Sequence, residues 1–228
     1  MTETNFRNYS IILLGMFLIC AVVFSAFPEI DIYIAALFWR PDAGFWIADI
    51  EWVGLLRKGL LRLMTAVFLA STAAWIISLA WRPVFGVAAR AWAFSTLLFL
   101  IGPGVIVNVV LKENWGRARP KDIGEFGGDR EFTAPLDITD QCVQNCSFVS
   151  GEGAGAAAMA LALLVLTRGL RNRGIAAFLM SVTWPLALAA TALRVVMGRH
   201  FLSDTLFSVL IVASVALILV RLLKVDLR

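Results

Sequence analysis

The sequence predicts an all-α, polytopic membrane protein built as a bundle of six transmembrane helices. Of its 228 residues, 60% are hydrophobic and only 16% are charged, whereas a typical soluble domain is about 45–50% apolar and about 25% charged. The mean hydropathy of +0.84 excludes a disordered chain as well as an ordinary soluble globule. Because one helix needs about 20 apolar residues to cross a bilayer, we expect about six crossings within a single domain, residues 1–228.

Six apolar runs have the length and composition of membrane-spanning helices. The first run is longer than the apolar core of about 7–15 residues in a signal peptide, so we interpret it as a membrane anchor. The fourth run is short and rich in Ala and Gly, so its start is the least well defined. The runs cover residues 9–27, 59–81, 91–111, 151–167, 175–193 and 205–223.

The orientation follows from the number of crossings and from the distribution of Lys and Arg. An even number of crossings places both termini on one side of the membrane. With cytoplasmic termini the inner face holds nine of the 20 Lys and Arg residues, Arg228 included, so the raw count decides nothing. The short segment 168–173 carries three arginines between two apolar runs and is the clearest positive-inside signal. We therefore expect cytoplasmic termini.

Two long segments then lie on the outer face. Residues 28–58 mix Trp with Ile, Leu, Phe and acidic side chains, a composition typical of the lipid headgroup region. This segment is either a simple interfacial loop or a segment that gathers substrate, and the sequence favours neither. Residues 112–150 form the most polar part of the chain.

Polar residues concentrate in three clusters at the ends of apolar runs. The first cluster, 112–120, follows run three, the second, 147–152, precedes run four, and the third, 194–204, joins runs five and six. In any topology with six crossings these run ends lie on the same face. We therefore expect all three clusters to meet at one membrane surface.

The clusters carry residues that suit an anionic phosphate. Lys112, Arg119 and Arg194 supply positive charge and donors that match phosphate oxygens. Ser150 and Gly151 lie at the start of a predicted helix, whose first N–H groups have no partner within the helix and can bind an anion. Together these residues predict a phosphate cradle.

His200 is the single histidine and lies four residues before Asp204. If the sixth helix includes both residues, they share one face. The carboxylate can then hold one ring nitrogen, which leaves the other free as a nucleophile. A cationic cradle beside such a histidine indicates phosphoryl transfer through a phosphohistidine.

These residues resemble the signature of the type-2 phosphatidic acid phosphatase (PAP2) superfamily, which reads K-x6-R-P, then P-S-G-H, then S-R-x5-H-x3-D. Residues 112–120 match the first element with its full spacing, and Arg194, His200 and Asp204 match the third. The resemblance covers about residues 91–223, and the catalytic signature lies within about residues 112–204.

The resemblance implies a role for each matched residue. His200 would be the nucleophile, and Asp204 would orient it. The phosphate-binding residues would be Lys112, Arg119, Arg194, Ser150 and Gly151. Arg117 and Lys121 flank this set, and we interpret them as ordinary interfacial cations, with a second phosphate or a carboxylate as the alternative ligand. The family needs no metal or other cofactor, so we expect none.

Three positions depart from the family pattern. Leu193 stands where the third element has Ser, Val149 where the second has Pro, and Glu152 where the second has His. In the family that His protonates the leaving oxygen. Glu152 can take over as the general acid if desolvation keeps it protonated, although nearby cations oppose this. The alternatives are a replacement that traps an inactive state and a protein that has lost activity, and we favour the working variant.

The remaining polar features exclude other kinds of site. Three cysteines and one histidine leave little room for a metal centre. Cys142 and Cys146 lie in the outer segment, where an oxidising compartment permits a disulfide; they either form a bridge, which we favour, or stay free. We interpret the net charge of +4 as loop charge and anion sites, not as a nucleic-acid interface.

The resemblance implies an integral membrane phosphatase that acts on a lipid-linked phosphate at the periplasmic surface of a bacterial inner membrane. Residues 146–152 are similar to the bacterial lipid A phosphatases, those that remove the 4′-phosphate in particular, so lipid A dephosphorylated at its 4′- or 1-position is the first choice. Undecaprenyl pyrophosphate, phosphatidylglycerophosphate, a lipid phosphotransferase and a lipid-binding pseudoenzyme are the alternatives. A transporter is disfavoured because the charged clusters lie at the ends of the runs and not near the bilayer midplane.

Overall fold

Six long helices form the bundle in the computed structural model, which describes residues 2–225. Residues 1 and 226–228, with Arg228 of the charge count, lie outside the described residues. Each long helix is apolar enough to cross a membrane, so the predicted all-α fold with six spans is confirmed. The helices are α1 (Glu3–Ala26), α2 (Glu29–Ala36), α3 (Glu51–Ala80), α4 (Ala89–Asn114), α5 (Gly151–Gly169), α6 (Arg173–Val196) and α7 (Leu202–Leu222).

The segment predicted as an outer loop, 28–58, is largely structured. It contains the short helix α2, a 3₁₀ turn at Trp46–Asp49 and the first turns of α3, which begins at Glu51 and not at the predicted residue 59. Glu51 in the first turn is favoured by the helix dipole. Charged side chains at a helix end can reach the membrane surface, so Arg57 and Lys58 did not mark the end of the span.

The start of α7 differs from the prediction in a way that matters for the site. The helix begins at Leu202, and the Asp204 carboxylate accepts a hydrogen bond from the Phe201 N–H (2.8 Å), which caps the first turn. His200 therefore precedes the helix. The expectation that His200 and Asp204 share one helical face is wrong.

The second half of α4 is wound as a π-helix over Leu100–Leu111. Pro103 lies within this stretch, and because proline has no N–H it breaks the regular hydrogen-bond pattern. The Asn108 side-chain amide donates to the Pro103 carbonyl (2.7 Å). The wider winding continues up to Lys112, the first residue of the predicted cradle.

The Ala- and Gly-rich helix α5 lies at the centre of the bundle. It packs against α4, α6 and α7, and most of its alanines are buried. Small side chains let neighbouring helices approach closely, which explains why the span with the weakest hydropathy is also the most buried. It begins at Gly151, as predicted.

A second apolar cluster covers one end of the bundle. Its buried members come from the outer segments and from the start of α7: Ala35, Phe45, Ala118, Ile123, Phe126 and Phe201. This packing brings residues 28–50 and 115–132 over the helix ends that carry the polar clusters. Residues 28–50 and 115–132 thus form an ordered cover beside the polar clusters.

Candidate active site

The three polar clusters meet at one end of the bundle, as predicted. The Ser147 N–H donates to the Arg117 carbonyl (2.9 Å), which joins the second cluster to the first. The Ser150 N–H donates to the Asp204 carbonyl (3.2 Å), which joins the second cluster to the third. The convergence expected from the topology is therefore confirmed by direct contacts.

His200 lies in the turn between α6 and α7 and is only 1% exposed. Its Nδ1 is 2.7 Å from the Ser147 carbonyl oxygen, which can only accept, so Nδ1 carries the proton and Nε2 is unprotonated in the neutral ring. Burial lowers the pKa of His200 well below its ordinary 6.5, and the positive charges of Arg194 and Lys112 lower it further. The ring is therefore neutral at physiological pH, as a nucleophilic imidazole must be.

Asp204 does not hold the imidazole directly, contrary to the expectation. Its Oδ2 is 3.9 Å from His200 Nδ1, too far for a hydrogen bond. Asp204 instead accepts from the Ser147 hydroxyl (2.5 Å). Ser147 therefore links the two residues, since its hydroxyl binds Asp204 and its carbonyl binds His200. No sequence motif predicts this role of Ser147, because a backbone carbonyl is common to every residue type.

Arg117 is buried, and its interpretation as an interfacial cation is wrong. It is 1% exposed, and it donates to Asp204 Oδ1 (2.6 Å) and to Asp31 Oδ2 (2.9 Å). Its guanidinium also lies over the Phe201 ring, 4.3 Å from the centroid. A buried cation must be paired, and Arg117 is paired with two carboxylates. The alternative prediction, that Arg117 binds a carboxylate, is therefore the correct one. The signal for Asp31 was a lone acidic residue among the apolar residues 30–36.

The predicted cations Lys112 and Arg119 are both held by Asn145, which lies in the loop before α5. Lys112 Nζ donates to Asn145 Oδ1 (3.1 Å), and Arg119 Nη2 donates to the Asn145 carbonyl (2.6 Å). The third cation, Arg194, is 5% exposed, and its Nε has no hydrogen-bond partner among the described residues. An unused buried donor is costly, and an anion bound beside Arg194 would satisfy it.

Ser150 and Gly151 form the start of α5 beside these cations. The Ser150 hydroxyl accepts from the Gly153 N–H (3.1 Å) and caps the helix. A Cβ atom at Gly151 would lie 2.7 Å from Asn108 Oδ1 and 3.3 Å from Lys112 Nζ. Glycine at this position therefore allows the helix N-terminus and Lys112 to approach each other closely.

Glu152 is bound by Arg57, an arginine outside the three polar clusters. Arg57 of α3 donates to Glu152 Oε1 from Nε (3.0 Å) and from Nη2 (2.5 Å). Arg194 Nη1 lies 3.4 Å from the same oxygen. Glu152 is thus an ion-paired carboxylate between two guanidinium groups. The available signal was the basic pair 57–58 immediately before the second apolar run.

The loop that holds the cations is closed by a disulfide between Cys142 and Cys146. This is the alternative that the sequence favoured. The bridge encloses Asn145, the residue that binds both Lys112 and Arg119. The disulfide therefore constrains the part of the loop that positions the cradle.

Lys121 forms an ion pair with Asp122 (2.6 Å) at a partly exposed position, consistent with an interfacial cation. Within residues 2–225 the His, Cys, Asp and Glu side chains form no group of three or more that could hold a metal ion.

Several known proteins are similar to this chain in sequence. Residues 90–227 match the PAP2 superfamily. The lipid A 4′-phosphatase of Rhizobium leguminosarum is 36% identical over 196 residues, which cover 80% of this chain and 82% of that protein. The lipid A 4′-phosphatase of Francisella tularensis subsp. novicida (strain U112) is 31% identical over 188 residues, or 82% of each chain.

A solved structure shares the fold. The chain is similar to a transmembrane PAP2-type phosphatidylglycerolphosphate phosphatase from Bacillus subtilis, with a TM-score of 0.50 and 23% identity over 93% of this chain and 94% of that one. The residues that match the family include the polar clusters described above. The chain therefore belongs to the PAP2 superfamily, and it is a membrane phosphatase.

Proposed function

We propose that this protein removes the 4′-phosphate from lipid A at the periplasmic surface of a bacterial inner membrane. The observation that carries the proposal is the geometry of His200, a buried neutral imidazole with an unprotonated Nε2 beside a cationic cradle. The substrate is suggested by relatives at 31% to 36% identity that are named lipid A 4′-phosphatases.

The proposed reaction proceeds in two steps. His200 Nε2 attacks phosphorus in line, and the N–P bond forms as the P–O bond to the sugar oxygen breaks. Glu152, ion-paired in the substrate-free protein, first takes up a proton from solvent and then donates it to the leaving oxygen. Water then attacks the phosphohistidine, the N–P bond breaks, and the proton from water returns to Glu152 as phosphate is released.

The cradle stabilises the negative charge that develops on the phosphoryl oxygens. Lys112, Arg119 and Arg194 supply cationic donors, and the N–H groups at the start of α5, at Ser150 and Gly151, add the dipole of a helix N-terminus. The unpartnered Nε of Arg194 gives the phosphate one donor that no described residue uses.

An apolar groove supports a lipid substrate. It has a volume of about 310 Å³ between α3, α4 and α5, and Gly151 and Glu152 line its polar end. Leu61 and Leu100 on its walls are 43% and 49% exposed on membrane-spanning helices, so the groove is open to the bilayer. An acyl chain can lie there while its phosphate reaches the cradle.

A second candidate function is binding of a phospholipid without turnover. Glu152 favours it, because the position of the family's acid is taken by a carboxylate ion-paired with Arg57 and Arg194. A carboxylate held in this way must gain a proton before it can act as an acid. The two candidates differ in one observable, the release of phosphate.

The test is phosphate release by the purified protein in detergent with a chelator present. Lipid A, undecaprenyl pyrophosphate and phosphatidylglycerophosphate are offered in parallel, and the His200→Ala variant is the control. We expect release from lipid A that is lost in the variant, with mass spectrometry showing loss of the 4′-phosphate. Activity that survives His200→Ala would contradict the nucleophile.

Two further arms separate the alternatives. Tight lipid binding without release, with release restored by Glu152→His, would support the binding protein over the phosphatase. Radioactive phosphate recovered on a second lipid and not as inorganic phosphate would show a phosphotransferase.

A further inference from the structure

We propose that Asp31 of the short helix α2 is a positioning residue for His200 and acts through Arg117. The inference rests on the proposed function, in which His200 is the nucleophile. Asp31 lies outside residues 90–227, the part of the chain that matches the family. The match therefore gives it no role, and the contacts alone carry the argument.

Asp31 is completely buried and accepts hydrogen bonds from both sides of the site. Its Oδ1 accepts from the Ser203 N–H (2.9 Å), and its Oδ2 accepts from Arg117 Nη2 (2.9 Å) and from the Ser203 hydroxyl. Ser203 belongs to the first turn of α7, and Arg117 follows α4. The carboxylate thus ties α2 to both segments that flank the nucleophile.

A continuous chain of hydrogen bonds leads from Asp31 to the imidazole. Arg117 Nη1 donates to Asp204 Oδ1 (2.6 Å), and Asp204 Oδ2 accepts from the Ser147 hydroxyl (2.5 Å). The Ser147 carbonyl then accepts from His200 Nδ1 (2.7 Å). The last bond selects the tautomer with a free Nε2, so a shift anywhere along the chain reaches the nucleophilic nitrogen.

The geometry of Arg117 explains why a second carboxylate is needed. Its guanidinium is a rigid fork. Nε donates to the Thr133 carbonyl (2.9 Å), and Nη1 donates to Asp204 and to the Ser203 hydroxyl, so without Asp31 the buried Nη2 would lose the acceptor that the described residues give it. Asp31 holds Nη2 while Asp204 holds Nη1, so both ends are fixed. Outer-shell partners of this kind orient the groups that react.

The competing explanation is that Asp31 only attaches α2 to the bundle. In that case Asp31→Asn would lower stability without changing the chemistry of the folded protein. Asn has nearly the shape of Asp, but its amide nitrogen cannot accept the bonds that Ser203 and Arg117 donate. The variant therefore removes part of the network with little change in volume.

The first experiment uses the fact that His200 is the only histidine. Protein labelled with [¹⁵N]histidine, and purified without a histidine tag, gives one imidazole in the NMR spectrum. We expect a single tautomer protonated on Nδ1 in the wild type and a mixture of tautomers in Asp31→Asn. The matched control is Asp42→Asn, the same change at an exposed position of the outer segment, which should leave the spectrum unchanged.

The second experiment measures kinetics on the folded fraction, with the melting temperature recorded for each variant. By analogy with outer-shell partners in metal sites, we expect Asp31→Asn to lower kcat by about 10- to 100-fold with KM and the inhibition constant of inorganic phosphate unchanged. Wild-type kcat and a wild-type tautomer in a variant of lowered melting temperature would overturn the proposal. If Asp31→Asn does not fold, Ser203→Ala removes the hydroxyl that donates to Asp31 and accepts from Arg117 Nη1 (2.9 Å), and it should shift both readouts in the same direction.

The two experiments separate this inference from the proposed function. A protein inactive on every lipid, whose imidazole still responds to Asp31→Asn, refutes the phosphatase reaction and leaves the positioning role standing. If the protein is active and Asp31→Asn changes neither the tautomer of His200 nor kcat, the positioning role alone is refuted.

Discussion

The imidazole of His200 is buried beside several cations, and this environment sets the pH range in which it can react. Its pKa lies well below 6.5 because of burial first and of the positive charges of Arg194, Lys112 and Arg119 next. We expect kcat/KM to stay on its plateau as the pH falls through 6.5 and to decline only at lower pH, where the ring gains its proton. A decline centred at or above 6.5 would contradict the assignment.

The cause of the shift can be tested by removing one charge. In Arg119→Gln the pKa of His200 should rise towards 6.5, so the acid limb of kcat/KM moves to higher pH, while the plateau falls because a phosphate ligand is lost. Arg130→Gln, at an exposed position, should leave the acid limb of kcat/KM in place.

The lowered pKa of His200 also makes the stability of the folded protein depend on pH. The unfolded chain binds the proton more readily than the folded protein does. The free energy of unfolding should therefore fall as the pH drops below 6.5.

Glu152 is the residue at which this chain departs most from its family. In Glu152→Gln the side chain keeps its shape but cannot supply a proton, so we expect a loss of about 10²- to 10⁴-fold in kcat on lipid A. Hydrolysis of p-nitrophenyl phosphate should fall much less, because its leaving group needs no proton. The control is Glu51→Gln in the first turn of α3. Equal losses on both substrates would instead assign Glu152 to holding Arg57 and Arg194.

The outer loop is an element whose covalent closure supports the cradle. Reduction of the Cys142–Cys146 disulfide, or the pair of Cys→Ser substitutions, should loosen Asn145, which holds Lys112 and Arg119. We expect KM and the inhibition constant of phosphate to rise several-fold while the tautomer of the histidine stays the same. Unchanged KM under a reducing agent, verified by thiol titration, would contradict this link.

The apolar groove tests how helices α3, α4 and α5 recognise a lipid. Thr65 lines the groove from α3, and Thr65→Trp should fill it. We expect a higher KM for lipid A with no change for the short substrate p-nitrophenyl phosphate, because only the lipid needs the groove. Leu69→Trp places the same side chain at an exposed position of the same helix and serves as the control. An equal effect of both substitutions would point to a general disturbance of α3.

At the scale of the whole molecule, the six spans place both ends of the described chain, residues 2–225, on one side and the site on the other. The site consists of the end of α4, the start of α5, the end of α6 and the start of α7. In a bundle of six spans, these four helix ends lie on the same side of the membrane. We predict that the site is periplasmic. A green fluorescent protein fused after residue 228 should therefore fluoresce, and an alkaline phosphatase at the same place should be inactive. The opposite result would reverse the orientation.

The sequence by itself determined the class of the molecule and predicted most of the residues that the proposed reaction uses. Hydropathy is a local property, because each span must satisfy its own backbone hydrogen bonds in the bilayer, so six runs could be recognised without any tertiary information. The topology then brought Lys112, Arg119, Arg194, His200 and Asp204 to one face. Their spacing in the motif identified the family, and the disulfide was among the expected alternatives.

Only the tertiary structure decided how those groups are held. The hydrogen-bonded pairs are far apart in the sequence. Arg117 and Asp31 are separated by 86 residues, Ser203 and Asp31 by 172, and Arg57 and Glu152 by 95. Such contacts follow from how helices pack, which no local pattern encodes. Because α7 begins at Leu202, His200 precedes the helix, and its Nδ1 donates to the Ser147 carbonyl and not to Asp204. Motif spacing therefore predicted His200 as the nucleophile, while packing alone determined which groups contact its ring.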